Sequence, residues 1–360
     1  MRNKFLFLCL LLFGTLTACK DTKWVDVPTG TPPEGAITGK PGEPEEPDDP
    51  TVKSFINCSY IRGYFFEINR ISAASMGACT DLIYLAARPY ANGEVAFELP
   101  LNDATMTNVS HTGTFQGRNG VVKFEGTSLM NGGDGLLHSA DGAFNKFTFG
   151  TYIYISEWVD GAFLFKKMDG NSTIIAFQMG ATANSLKLSI GSSVATVTTP
   201  DLATGWHYIG LTYEQGTAKL YVDTNNTAIS FVGALPNEVP NTRTDFLIGD
   251  KFKGYLDETF VSSLVVGTSG RNPITFDNWN NSKILAYWKY DDATKLGKDS
   301  HSWLGRLNNI RTALQGQQGD RRLRLGIAGG EWKKMMADAT ARTRFASEVK
   351  KIIEQYDFDG

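Results

Sequence analysis

Gly205-Trp-His-Tyr-Ile-Gly-Leu-Thr-Tyr-Glu-Gln-Gly-Thr-Ala-Lys-Leu-Tyr-Val-Asp223 decides the fold of most of this chain. Two runs rich in aromatic and β-branched residues flank the turn Glu214-Gln-Gly216, and that pattern reads as a β-hairpin. Upstream, Phe147, Phe149, Thr151, Ile153 and Ile155 recur at every second position, the period of one strand face. From about Leu101 the texture is glycine-rich and aromatic, with Gly, Asn and Asp turns between short segments of period two. Repeated short antiparallel strands predict a β-sandwich or jelly roll. Leu285-Ala-Tyr-Trp-Lys-Tyr290 is expected to supply a late strand that closes this sandwich near the point where the chain enters it.

Four blocks then stand in order: Gly120-Val-Val-Lys-Phe-Glu-Gly126, Phe147-Thr-Phe-Gly-Thr-Tyr-Ile-Tyr154, the hairpin above, and Ile248-Gly249 before Phe252-Lys-Gly-Tyr-Leu-Asp-Glu258. Together they resemble the successive blocks of a laminin-G-like, concanavalin-type jelly roll. The resemblance implies a glycan-binding module. Asp257 and Glu258 lie where such domains carry a frequent acidic residue, and Asp223 falls at a hairpin turn. Carboxylates at such loops either bind Ca²⁺ through their oxygens or hydrogen-bond local backbone. Calcium is the only cofactor this reading admits, and none is required. Trp158, Trp206, Trp279 and Trp288 either stack on sugar rings or belong to the core.

The flanks have another texture. Ser54-Phe-Ile-Asn-Cys-Ser-Tyr60 is a strand, Glu67 to Ala78 is helix-permissive, and Thr80-Asp-Leu-Ile-Tyr-Leu-Ala-Ala87 is a second strand, which makes a βαβ unit and predicts a parallel sheet. Past about Gly305, Leu307 to Leu314 reads as a helix and Leu323 to Ala328 as a buried strand. Phe345, Val349, Ile352, Ile353 and Tyr356 fall on one face of an amphipathic helix. The fold class is therefore multidomain, α/β plus all-β: a partial (β/α) barrel interrupted by a jelly roll. Strands one, two and three should neighbour in space despite the insertion.

Gly63-Tyr64, the Thr80 strand, Arg322-Leu-Arg-Leu-Gly-Ile-Ala-Gly-Gly330 and Tyr356-Asp-Phe-Asp-Gly360 resemble the first four strands of a family 18 glycoside hydrolase barrel. Asp81 stands where that family usually has His, and Ile327 where it has Ser. The resemblance implies an enzyme of the chitinase or endo-β-N-acetylglucosaminidase type, with Tyr64, Gly329 and Gly330 near the substrate. In that family a Glu ending DxxDxDxE protonates the leaving oxygen, while the substrate's acetamide attacks. Asp359 matches only the first Asp of the motif, a supporting position. The catalytic Glu has no counterpart in these residues, so this reading expects the polypeptide to be inactive as it stands and to need a downstream-encoded remainder. Gly329 and Gly330 read equally well as a turn requiring positive φ.

At the N-terminus Arg2 and Lys4 precede the apolar run Phe5 to Phe13 and Leu16-Thr17-Ala18-Cys19, which resembles a bacterial lipobox. The resemblance implies lipidation of Cys19 and a protein anchored to the outer membrane, facing the periplasm or the cell surface. Residues 25–50 hold seven prolines, and seven acidic residues against Lys40, the composition of an extended tether. The organisation is thus a signal over 1–19, a tether over 20–53, the first barrel part over 54–100, the jelly roll over 101–305 and the second barrel part over 306–360. Cys58 and Cys79 either pair in an oxidising compartment or remain buried thiols. A net charge of −3 without a basic cluster argues against nucleic acid, and four scattered histidines argue against zinc. Three readings compete: a surface hydrolase of N-acetylglucosamine-containing glycans, a non-catalytic carbohydrate-binding or adhesion lipoprotein, and a gene remnant with no activity.

Overall fold

In the computed structural model the described residues are 58–62, 79–97, 102–139, 144–223, 228–265, 284–300, 302–316 and 321–360. All belong to the unit Phe55–Gly360. The signal, Cys19, the tether, Tyr64, the helix expected over 67–78 and Trp279 lie outside the described residues.

The chain opens with β1 (Cys58–Arg62), β2 (Asp81–Pro89) and β3 (Val95–Phe97). It continues through β4 (Thr105–Thr107), β5 (Ser110–Phe115), β6 (Arg118–Glu125), β7 (Leu129–Asn131), β8 (Lys146–Glu157), β9 (Phe163–Asp169), β10 (Ser172–Met179), β11 (Ser185–Ile190) and β12 (Ser193–Thr198). Then come β13 (Trp206–Glu214), β14 (Thr217–Val222), β15 (Ile229–Ser230), β16 (Phe246–Ile248), β17 (Lys253–Ser262) and β18 (Ile284–Trp288). The described residues close with α1 (Ser302–Gln315), β19 (Arg322–Ile327), α2 (Trp332–Ala337) and α3 (Ala339–Tyr356).

Strands β4 to β18 form a two-sheet β-sandwich. One sheet runs β12-β11-β10-β9-β16-β7-β4, and the other runs β15-β14-β13-β8-β17-β6-β5 with β18 added beside β17. The alternation read in β8 is kept: Phe147, Phe149, Thr151, Ile153 and Ile155 are all buried. Across the core from Phe147 and Phe149 stand Phe165, Phe177 and Phe246 of the other sheet. The hairpin β13–β14 pairs Glu214 with Thr217 around Gln215 and Gly216, both at positive φ, a turn whose twist suits two antiparallel strands. A second Gln-Gly pair, Gln116-Gly117, makes the same turn between β5 and β6. The late strand closes the sandwich where it was expected to: the Asn102 side chain donates to Leu285 O at 2.6 Å, and Trp288 Nε1 donates to Asn102 O at 3.0 Å. Neighbouring ends let such a unit sit inside a surface connection at small entropic cost.

The outer strands pair as the flanking pattern required. β1 and β19 both lie parallel to β2, with Leu82 facing Ser59 on one side and Leu323 on the other. After α3, Asp359 N donates to Leu323 O at 2.8 Å and Leu325 N donates to Gly360 O at 2.8 Å, so the chain runs alongside β19. The described strands nevertheless make an open mixed sheet and no barrel, because β3 pairs antiparallel with the end of β2 beyond the reach of β1. Leu307, Ile310 and Leu314 of α1 pack on this sheet with Ile352 and Tyr356 of α3, around Tyr84 and Phe97. Phe345 leaves that stripe and meets Trp332 of α2 edge to face, with ring centroids 5.3 Å apart.

Two further features correct the expectations. Cys58 is exposed, Cys79 is buried, and they are not bridged. Asp81 is a clasp between β2 and β19, paired with Arg322 and Arg324. Burial opposes its ionisation, but hydrogen bonds from Arg324 and Thr80 and the charges of Arg322 and Arg324 outweigh that and hold its carboxyl below the usual range.

Lys167 of β9 is wholly buried at one end of the core, where Nζ donates to Leu136 O at 2.5 Å and Thr242 O at 3.1 Å. Burial, the largest influence, pushes its ammonium down to about 8. The unfolded chain keeps that proton up to about pH 10.4, so between roughly pH 8 and 10 the unfolded state binds more protons and stability rises with pH. The urea midpoint is expected to climb over that window and to climb less in Lys167→Met. A flat wild-type profile from pH 8 to about 9.5 would count against this assignment.

Candidate functional site

The outward face of the larger sheet carries a concentration of rings. Register pairs Trp206 with Tyr154 and Tyr208 with Tyr152 across β13 and β8. On the other side of β8, Tyr255 faces Tyr154 and Asp257 faces Tyr152. Cross-strand partners share a face, so these side chains form one patch opposite the core. The β5–β6 turn brings Phe115 and Arg118 over it. Phe115 stacks on Tyr255 with centroids 3.8 Å apart and planes 17° from parallel, and Trp206 Nε1 donates to Phe115 O at 3.2 Å. Tyr152, Tyr154, Trp206, Tyr255 and Phe115 are all half-buried.

Arg118 organises the charge. Its guanidinium lies 3.4 Å from the centroid of the Tyr152 ring and 5.7 Å from that of Trp206. Nε donates to Asp257 Oδ2 at 2.5 Å, and Nη2 lies 3.5 Å from Glu258. Neighbouring side chains of a regular strand point to opposite faces, yet both carboxylates reach the same arginine. A β-bulge explains this: three residues of β17, Asp257 to Thr259, take up the step that β8 makes in two, and Glu258 sits at φ 48°. Thr151 supports the bulge, since Oγ1 reaches Asp257 O at 3.2 Å and Thr259 Oγ1 at 2.8 Å.

The Asp257 side chain is only 4% exposed, and its Oδ1 has no hydrogen-bond partner. Burial pushes its carboxyl up to about 7 against the pull of Arg118. The Tyr208 and Tyr287 phenols are pushed up as well, by burial first and by the nearby Glu258 charge among lesser causes. Both therefore remain hydrogen-bond donors at neutral pH. The patch combines apolar ring faces, a partly exposed planar cation and acceptor oxygens. Such a surface can hold a polyhydroxylated ring by stacking and by charge-assisted hydrogen bonds. Farther along β13 and β14 the same face holds a polar groove of about 350 Å³ lined by Thr212, Glu214, Lys219 and Tyr221.

The residues singled out from sequence fare differently. Asp257 and Glu258 do come together, both paired with Arg118. Among the described residues no cluster of three or more His, Cys, Asp or Glu could hold a metal. Asp223 accepts from Tyr208 N at 3.1 Å and lies 2.9 Å from His207 Nδ1, the local backbone role of a turn carboxylate. Trp288 is core, Trp158 donates Nε1 to Gly180 O at 2.8 Å, and among the described residues Trp206 is the one of these tryptophans that joins the patch. Gly329 and Gly330 turn the chain from β19 into α2 at φ 69° and 77°. A Cβ on Gly330 would run into Pro89 O, so that glycine is required by close packing. Asp359 accepts from Leu323 N at 2.7 Å, which fastens the chain to β19. Sequence reading missed Arg118, Tyr152, Tyr154 and Tyr255, although the Gln-Gly turn beside Arg118 was a usable hairpin signal.

No family model matches the chain, and no curated protein sequence matches it. Solved structures do. Domain 4 of AbnA, a GH43 extracellular arabinanase from Geobacillus stearothermophilus, in complex with arabinotriose, is 16% identical over 44% of this chain and 81% of that domain, with a TM-score of 0.33. A Limulus polyphemus SAP-like pentraxin is 16% identical over 46% of this chain and 78% of its own, with a TM-score of 0.30. The Trypanosoma rangeli sialidase is 14% identical over 45% of this chain and 27% of its own, with a TM-score of 0.34. What the chain's own geometry defines is a β-sandwich with an aromatic and charged patch on one outer face.

Proposed function

We propose that this protein is a carbohydrate-binding β-sandwich that uses the Arg118 patch of its larger sheet. The observation that carries the reading is the set of half-buried rings, Tyr152, Tyr154, Trp206 and Tyr255, grouped around a guanidinium that carboxylates hold in place. Fully apolar packing would have buried these rings, and an ordinary solvated face would not have collected them. The lipobox and the acidic tether fit a module displayed from a membrane, and Cys19 lipidation belongs to the same proposal.

A glycan array, followed by titration of the best oligosaccharide, tests the reading. Saturable binding is expected, with Trp206→Ala weakening it by at least about tenfold, or about 1.4 kcal/mol. Binding that survives Trp206→Ala in a protein with an unchanged melt would refute the site.

A second reading places a family 18 type hydrolase in the open mixed sheet, on its parallel strands β1, β2 and β19. It is favoured by the spatial order β1-β2-β19 with Phe358 to Gly360 running beside β19. Under both readings the oligosaccharide is expected back intact, because the family 18 resemblance leaves no catalytic Glu in these residues; recovery of a shortened oligosaccharide from this polypeptide would refute that expectation.

A further inference from the structure

We infer that the Arg118 patch selects saccharides without carboxylate or sulfate groups, and that Glu258 is a specificity-determining residue in that choice; the inference rests on the carbohydrate-binding reading. An arginine among aromatic rings would ordinarily suggest an acidic ligand. Here the balance of charge opposes one. Three basic side chains of β6 and β17 border the patch, and each already faces a carboxylate: Arg118 meets Asp257 at 2.5 Å and Glu258 at 3.5 Å, Lys253 meets Glu157 at 2.7 Å, and Lys123 is paired with Glu125. Above about pH 7, the value to which burial pushes Asp257, Arg118 is thus one cation between two carboxylates, one of them buried and the other, Glu258, 28% exposed at the rim.

An acidic sugar would have to displace a carboxylate from Arg118 or bring a further anion up to Glu258. Displacement is opposed by the geometry of Asp257, whose buried side chain has Arg118 as its charged partner and one oxygen already unpaired. Addition is opposed by like-charge repulsion across a half-desolvated surface. A hydroxyl meets neither obstacle. It can accept from the outer edge of Arg118 and donate to Glu258 while the ring lies on Trp206 or Tyr154, the mixed donor and acceptor demand that a neutral sugar satisfies.

Matched ligands test this on the full chain: a sialylated N-glycan against its desialylated form, and a galacturonan oligosaccharide against the same chain with its carboxyls reduced. The neutral member of each pair is expected to bind about tenfold or more tightly, a gap that narrows on going from about 0.05 M to about 0.5 M salt as the repulsion is screened. Glu258→Gln should narrow the gap at low salt without weakening the neutral ligand to the same degree. Equal or tighter binding of the acidic members, or a gap indifferent to both salt and Glu258→Gln, would overturn the inference while leaving a Trp206-dependent binding site intact. Binding of neither member of either pair, nor of any glycan on the array, would overturn the carbohydrate-binding reading and this inference with it.

Discussion

Glu94→Ala is expected to destabilise the folded chain by about 3 kcal/mol, with the loss nearly independent of salt. Glu94 lies between β2 and β3 with its side chain 5% exposed, and it receives three partners from distant parts of the chain. Arg344 of α3 donates to Oε1, His138 of the sandwich lies 2.8 Å from Oε2, and Arg243 of the sandwich lies 3.6 Å away. Arg243 in turn meets Glu348 of α3 at 3.3 Å. One carboxylate therefore joins the open sheet, its last helix and the sandwich. Removing it takes the shared buried acceptor from Arg344, His138 and Arg243, of which Arg243 keeps Glu348 at 3.3 Å and Asp134 at 3.9 Å. The figure is placed at the low end because Arg344 is about a third exposed and can turn to water. Urea denaturation followed by tryptophan fluorescence measures it, and Glu94→Gln, which keeps the acceptor, should recover part of the loss. A shift below about 1 kcal/mol would show that this network positions the two parts without stabilising them.

Phe165→Ala is expected to cost about 3–5 kcal/mol, the largest effect of any single substitution considered for this molecule. The ring is fully buried where the sheets meet, with centroids 4.8 Å from Phe149, 5.0 Å from Phe246, 5.9 Å from Phe177 and 6.1 Å from Phe147. Four aromatic neighbours on two rigid sheets cannot collapse into the vacated volume, so the cavity penalty adds to the lost transfer free energy. Phe165→Leu should lose about half as much, because it refills much of the volume. Thermal melts of the two variants provide the comparison, and equal melting temperatures for wild type and Phe165→Ala would show that the rings are not the centre of this core.

Much of this architecture was legible residue by residue. The period-two run of β8, the Gln-Gly turn between β13 and β14, and the helical stripe ending at Ile352 and Tyr356 all state locally which side of an element avoids water. Burial is set by that pattern whatever the element packs against, so these readings transferred directly to the structure. The parallel pairing of β19 with β2 was also accessible, because two apolar strands flanking an all-β insert have few other ways to bury both faces. The open form of the small sheet was not, since β3 is three residues long and pairs through its backbone.

The site shows the division most clearly. Sequence alone determined a two-sheet sandwich with a surplus of aromatic residues, two adjacent acids at Asp257 and Glu258, and a tryptophan at position 206. Only the tertiary structure decided that a bulge in β17 turns both acids toward one side, that the β5–β6 turn lays Arg118 and Phe115 over the same face, and that both acids pair with that arginine. The physical reason lies in range. Hydrophobic period is a property of neighbours along the chain, whereas the meeting of Arg118 with Asp257, or of Glu94 with Arg344, depends on how separate elements are stacked, which no local pattern of residues encodes.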